Sequence, residues 1–593
     1  VTVEPAGRSL WLARTAIVLL GLACVLPFLS PVFYPPIQTF YGEAVAFALG
    51  LVAIALLLSR SLWKGVRLPR VALLFLGFAA LMAMQIVLGL APYRDVNLLG
   101  ALYLLWAAMI AMLANRIVQV VGAAGFASSL AWFLVAGSLL SAAIGLIQLL
   151  GIHTPLAPFL LPQIHGRIYA NTGQPNHLAN YLCLGAASVA YLWSTRRLSW
   201  FVALPICVVF IAVLASSGSR GAWLYAFAFI VIAALMLRRR PSPELKRLLL
   251  FAIVFMAGLI AAQLAMPDFS PAARPLVAME TIGDRMRADM SAPLRLRFWN
   301  EAWVMFREAP VLGAGFKQFA WNNFLLNASL PGGRPGEGII DNAHNLVFEI
   351  AAEFGACGLV LLVVGLGWWA RSLRHSRIDA TSWWMAATLG ILGLHSMLEY
   401  PLWYAYFLGI VAMLMGAAEH EAPVIDGTRS GRFALLAAVV LGVIVFVGVF
   451  RDYRVMQSLQ GAARPADVAE DGGDKRIPVL LDLQRTSLFA PYIEFAITQR
   501  MLLNRDHLQD KLVLNSRAMR FQPSSDAVYR QAYLLAMSGD IAGMQAQWDL
   551  AVANYPADRA AALGMAGQLE KNGESTMTPL LEYARRQESK AEK

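Results

Sequence analysis

The chain has 593 residues, of which 58% are hydrophobic, with a mean hydropathy of +0.58 and a formal net charge of +11. That composition excludes an ordinary soluble globular protein and places the chain in the all-α, polytopic membrane class. Its four cysteines, Cys24, Cys183, Cys207 and Cys357, lie in apolar runs without metal-ligand spacing, so neither a disulfide framework nor a thiolate metal site is expected.

Apolar runs of roughly 18 residues or more, each able to cross about 30 Å of hydrocarbon as a helix, recur over the first three quarters of the sequence. The pattern predicts thirteen, at approximately 14–31, 42–59, 71–91, 97–114, 126–151, 177–194, 199–215, 220–237, 248–266, 344–370, 382–399, 402–418 and 433–451. The first run continues into LPFLSPVFYPP without a small-residue cleavage pattern, so it is expected to be a retained helix and not a removed signal. The expected units are helices one to nine (1–266), an outer loop region (267–343), helices ten to thirteen (344–451) and a soluble α-helical domain (452–593).

Basic residues in short loops set orientation. Arg60, Lys64, Arg67 and Arg70, then Arg116, then Arg196 and Arg197, then RRRPSPELKR at 238–247 fall in alternate loops, which are therefore cytoplasmic. The intervening loops, SPVFYPPIQTFYGE and LAPYRDVN among them, carry almost no positive charge and face outward. The net charge thus largely records membrane topology, and a nucleic-acid partner loses its main support. Thirteen crossings from a cytoplasmic start place 452–593 outside, together with loop 152–176, the turn before Arg220, segment 267–343 and the region of Glu399.

Polar residues stand out on that outer side. YANTGQPNHLANYL contains Gln174, Asn176 and His177, where Pro175 suits a helix start but leaves Gln174 and His177 unexplained. SSGSRGAWL puts Arg220 at the membrane boundary, a position that snorkelling alone would justify. RLRFWNEAWVMFREAPVLGAGF, 295–316, sets Phe298, Ala302 and Met305 on one helical face, which predicts an amphipathic helix at the interface with Arg295 and Arg297 at its start. DNAHNLVFEIAAEFG, 341–355, offers Asp341 or Asn342 as a helix cap, while His344 is not needed for capping. Glu349 and Glu353 follow one turn apart within the apolar run. GLHSMLEYPLWYAYFL adds His395, Glu399 and Tyr400; its other aromatics suit a membrane belt.

After Phe450 the sequence becomes charged and soluble, with an acidic stretch, ADVAEDGGDK. AMRFQP and AVANYP end 33 residues apart at Pro523 and Pro556, and Asp506, Asp540 and Glu574 follow at steps of 34, close to the period of a tetratricopeptide helix pair. A general string of helical hairpins gives the same echoes. Such appendages hold protein partners, so this one is expected to present a protein substrate.

Arginines supply permanent charge and forked donors suited to phosphate, and a histidine accepts a proton near neutral pH. With no DxD-type carboxylate pair and no metal cluster in the sequence, the arginines would stabilise a leaving diphosphate, which predicts metal-independent transfer from a lipid-linked sugar. HNLVFEIAAEFG, RLRFWNEAW…PVLGAGF and SRGAW together resemble the O-antigen ligase and polymerase superfamily of GT-C-type membrane glycosyltransferases. QPNHLANYL and HSMLEYPLWYAYFL resemble its PglL branch, bacterial protein O-oligosaccharyltransferases; the resemblance spans roughly 165–410.

That resemblance implies block transfer of an oligosaccharide from undecaprenyl diphosphate to serine or threonine of pilin or another periplasmic protein, at the bacterial inner membrane, without a cofactor. It implies His344 as the essential histidine, Arg220 and either Arg295 or Arg297 as diphosphate ligands, and Gln174 and Tyr400 as further site residues. Asn176, His177 and Glu399 join them as substrate-binding candidates through their motifs. An O-antigen ligase delivering the same donor to lipid A-core is the nearest alternative, and a polymerase is more distant. A lipid-linked glycan transporter would carry polar groups near the bilayer midplane and repeated halves, whereas these polar residues cluster at one surface.

Overall fold

The computed structural model describes residues 6–163, 167–265, 291–327, 340–425, 429–461 and 474–591. Much of the expected outer segment 267–343 and nearly all of ADVAEDGGDK lie outside the described residues. Among those described, regular structure is helical apart from isolated bridge positions, Arg67 with Val424 among them.

A helix stands at each of the thirteen expected positions: Ala6–Ala23 with its continuation Leu26–Leu29, Phe40–Ala55, Arg70–Val87, Arg94–Val121, Ala123–Leu150, Pro175–Ser194, Trp200–Ser217, Gly221–Arg239, Pro243–Ala265, Leu346–Ser372, Ala380–Ser396, Ala405–Ala418 and Arg429–Ser458. Ten described helices are long and apolar enough to cross a membrane by themselves. Pro175–Ser194 falls short in hydropathy, and Ala380–Ser396 and Ala405–Ala418 fall short in length. Burial explains the first. Seventeen of the twenty residues of Pro175–Ser194 are buried, so neighbouring helices, not lipid, solvate it and polar Asn180 and Ser188 are tolerated. Arg429–Ser458 is the opposite case, with 11% of its apolar window buried and the highest hydropathy, 3.0, as a peripheral, lipid-facing helix requires.

Leu346–Ser372 is two helical rods. Its backbone leaves the helical region at Gly355 (φ 62°, ψ −155°), freeing peptide groups at membrane depth. Irregular backbone there must find partners within the protein, and the segment after the amphipathic helix supplies them. Ala314 N and Gly315 N donate to the carbonyls of Ala352 (2.8 Å) and Glu353 (3.2 Å), while Ala356 N and Cys357 N donate to those of Pro310 (2.8 Å) and Val311 (3.1 Å). Buried Gln85 seals the crossing by donating to Leu312 O (3.0 Å) and Glu353 O (2.8 Å) and accepting from Phe316 N (3.1 Å). The approach is close enough that a Cβ on Gly313 would lie 2.3 Å from the Glu353 carbonyl carbon, and one on Gly355 2.6 Å from that of Val311.

The amphipathic helix Ser291–Glu308 buries Phe298, Ala302 and Met305, as its periodicity predicts. Its apolar face meets protein and not lipid, however: Ala302 and Met305 pack in one cluster with Phe319, Leu326, Ala343 and Ala352. The short helix Phe319–Asn327 follows it.

Among the described residues, seven further α-helices follow, Arg476–Gln484, Ala490–Thr498, Leu508–Phe521, Ser525–Ser538, Ile541–Asn554, Arg559–Lys571 and Thr578–Ala591. The residues that mark the repeat hold turns. Asp540 caps Ile541–Asn554 by accepting from Gly543 N (2.8 Å), Tyr555 Oη donates to Pro523 O, and Glu574 pairs with Arg505 (2.9 Å). These helices rest on one end of the bundle: Phe489, just before Ala490–Thr498, lies edge-on to Phe40 and to Tyr453, both at 6.1 Å, and Glu494 accepts from Tyr93 Oη (2.5 Å) while pairing with Arg517 (2.7 Å).

Candidate active site

The first wall of the site begins in the loop before Pro175–Ser194. Gln148 holds it by accepting from Tyr169 N (3.2 Å) and Ala170 N (2.8 Å), and Asn171 Nδ2 donates to Leu29 O and Phe159 O, both at 2.9 Å. Half-buried Gln174 is the extended residue before the helix, and Pro175 opens it where no amide donor is needed. Asn176, next along, donates from Nδ2 to Glu399 Oε1 (2.8 Å) and accepts at Oδ1 from Ser219 Oγ (2.7 Å). Ser219 lies between Gly218, the left-handed end of Trp200–Ser217, and Arg220, the residue flanking Gly221–Arg239. One asparagine thus joins the Arg220 turn to Glu399.

His344 comes from the opposite wall. Its φ of 49° is left-handed and unusual for a residue with a Cβ. Neighbouring bonds impose it: His344 N donates to Asn342 Oδ1 (3.0 Å) and Ala343 N to Glu349 Oε2 (2.5 Å). Glu349, buried within the rod, therefore holds the loop that presents His344. The helix cap is Asn345, whose Oδ1 accepts from Val347 N (3.0 Å) and Phe348 N (3.3 Å). Asp341 and Asn342, expected as caps, lie too far ahead of a helix that begins only at Leu346. Glu353, one turn below Glu349, is fully buried beside the Gly313–Gly355 crossing.

Glu399 occupies the centre. Its Oε2 lies 3.0 Å from His344 Nδ1, and its Oε1, already bonded to Asn176, lies 3.7 Å from Arg295 Nη2. Burial works against its charge, but the hydrogen bonds and positive potential from His344, with the Asn176 bond, bring its carboxyl down to about 2. An ionised carboxylate only accepts, so His344 Nδ1 is the donor in this contact. Tyr400 lies edge-on to the His344 ring at 5.6 Å and Phe298 stacks over it at 6.0 Å. His344, Glu399, Tyr400 and Trp403 line one crevice.

Two expected residues face elsewhere. His177 is 5% exposed, its ring 5.1 Å from Tyr404, 5.2 Å from Phe407 and 5.5 Å from His395, so it packs behind Glu399 and not toward a substrate. Position 177 is one residue past Asn176, about 100° around the helix, which turns it into the bundle. Arg297 is two residues past Arg295 and on another face; it donates to Glu301 Oε1 (2.8 Å) and to Asn327 Oδ1. Sequence reasoning overlooked Ser219 and Asn345, and offered Asn342 only as a helix cap, whereas its Oδ1 holds His344 N. Short polar residues in loops give no signal until their partners are known.

Residues 205–363 match the O-antigen ligase family, and residues 383–569 match the family described as virulence factor membrane-bound polymerase, C-terminal. The first match contains Arg220, Arg295, Arg297 and His344; the second contains Glu399, Tyr400 and most of the C-terminal helices. The chain is 28% identical over 496 residues to the general O-oligosaccharyltransferase of Acinetobacter baylyi, covering 81% of this chain and 84% of that protein. It is 26% identical over 257 residues to the ComP-specific O-oligosaccharyltransferase of the same organism, covering 42% and 44%.

Proposed function

We infer that this chain is a membrane glycosyltransferase of the protein O-oligosaccharyltransferase type, a PglL-like member of the O-antigen ligase superfamily. It moves a preassembled oligosaccharide from undecaprenyl diphosphate to a serine or threonine hydroxyl of pilin or another exported protein. The observation that carries the mechanism is the His344–Glu399–Arg295 cluster within the matched region.

Glu399 fixes the His344 tautomer, so Nε2 acts as general base. The acceptor oxygen forms a bond to the anomeric carbon, the bond from that carbon to the phosphate oxygen breaks, and the hydroxyl proton passes to His344 Nε2. Charge growing on the departing lipid diphosphate is met by Arg295 and Arg220. Gln174 and Tyr400 border the sugar. The arginines take the part that a divalent cation plays in other transferases, so the reaction is metal-independent and uses no cofactor. The site and the tetratricopeptide-like domain 452–593 face the periplasm from the inner membrane, and that domain presents the acceptor.

With purified chain, a lipid-diphosphate-linked glycan and a serine-containing acceptor peptide, His344→Ala is expected to lower transfer by about 10²–10⁴-fold, while EDTA leaves the wild-type rate unchanged. Unchanged transfer by the variant would remove His344 from the chemistry. The O-antigen ligase match supports a second reading, delivery to lipid A-core. Mass spectrometry of periplasmic proteins beside a lipopolysaccharide gel from a deletion strain separates the two by the product that disappears.

A further inference from the structure

The helix carrying Arg295 and Arg297 is fastened to the C-terminal helices by side chains that the mechanism above does not use. Arg297 donates to Asn327 Oδ1, and Asn327 Nδ2 donates to Asn554 Oδ1 at 2.9 Å. Asn554, 1% exposed at the end of Ile541–Asn554, is saturated: its Nδ2 donates to Phe324 O (3.1 Å) and Leu550 O (2.9 Å).

The chain of bonds runs on toward His344. Arg297 Nε donates to Glu301 Oε1, Glu301 Oε2 accepts from Asn323 Nδ2 (2.6 Å), and Asn323 Oδ1 accepts from Ile340 N (3.0 Å), three residues before Ala343. Glu301 is fully buried and Asn323 is 3% exposed. Apolar packing follows the same line. Phe319 and Leu326 pack with Ala302, Met305 and Ala343, whereas Phe324, on the same short helix, packs with Met544, Trp548 and Ala551.

A buried polar network in which every member is satisfied fixes relative position more sharply than apolar contact does, because a small displacement strands several groups at once. We propose that Asn554 is a positioning residue for the donor site: through Asn327 it sets the arginine helix against the loop of His344. The C-terminal helices therefore act on the lipid diphosphate as well as on the acceptor, and they do so whatever the acceptor is. This rests on the reading of the arginines as diphosphate ligands.

The test uses the purified full chain, with binding of polyprenyl diphosphate in detergent followed by thermal shift and transfer followed with two unrelated acceptor peptides. Asn554→Ala is expected to weaken lipid-diphosphate binding and to raise the donor KM, each by about tenfold. The increase is the same with both peptides, and the KM for each peptide is unchanged. Asn515→Ala is the control. It removes an equally buried amide that donates at 2.9 Å to both Ala527 O and Gln531 Oε1 inside the C-terminal helices, away from the arginine helix. It is expected to lower the unfolding temperature without changing the donor KM. A rise in acceptor KM alone for Asn554→Ala, or donor values equal for the two variants, overturns the proposal. A wild-type chain that transfers glycan yet binds polyprenyl diphosphate no better than Arg295→Ala or Arg220→Ala do overturns instead the arginine reading beneath it.

Discussion

Glu399 joins three chain segments through two oxygens, and its chemistry decides how they behave. Gln in its place retains an acceptor but presents an amide donor as well, and the His344 tautomer is no longer dictated. Glu399→Gln is expected to lower transfer by about 10²–10⁴-fold with little change in stability. The sign with pH follows from the direction of its shift. A carboxyl lowered to about 2 contributes above its ordinary value near 4.5 and loses that contribution only as pH falls through about 2. The carboxylate should therefore stay ionised between pH 5 and 8, and the infrared difference between wild type and Glu399→Gln should show no protonated-carboxyl band in that range; such a band at pH 5 would show that the carboxylate titrates there. Sequence motifs marked Glu399, His344 and the arginines because polar groups at apolar run ends are costly and conspicuous. They did not show that Asn176 reaches a carboxylate 223 positions away, or that of two arginines two residues apart only Arg295 turns toward Glu399.

The crossing of Pro310–Gly315 over the broken rod is the element on which the site stands. Both glycines meet backbone atoms, which have no rotamer by which to move aside. Gly313→Ala and Gly355→Ala are each expected to destabilise the chain by about 1–3 kcal/mol or more, as a lower unfolding temperature in detergent. Gly367→Ala, with open space around its Cβ position, should leave that temperature unchanged. The helices themselves were legible from apolar run length. The break at 355 was not, since hydrophobicity continues through it and backbone pairing leaves no side-chain pattern. The backbone partners of PVLGAGF lie 38 to 46 residues further along the chain, so its role against the broken rod depends on contacts that no local pattern carries.

At the scale of the molecule, the lysine and arginine count assigns sides to loops that the fold then brings together. The C-terminal helices touch the loops at Ile37 and Tyr93 and the helix before His344, all assigned to the same side. Of the native cysteines, three are buried and Cys357 is partly so, which keeps background labelling low. Cysteines introduced for His153 and Lys571 should react with an impermeant maleimide in intact spheroplasts, and one for Pro241 only after permeabilisation. Labelling of 571 that follows 241 would reverse the tail. The count of crossings was less legible than the sides, because Pro175–Ser194 is solvated by protein and need not look like a membrane helix at all.

The break at Gly355 also separates two mechanical duties. Below it, Val360, Val363 and Val364 are 60–68% exposed, so the lower rod meets lipid and must follow the hydrocarbon thickness by tilting. Above it, Glu349–Gly355 is buried throughout and tied to the Pro310–Gly315 segment and Gln85. A continuous helix would carry a tilt straight through to His344. Here the helical hydrogen-bond ladder stops at Gly355, so a lean of the lower rod has no continuous helix to carry it to the loop of His344.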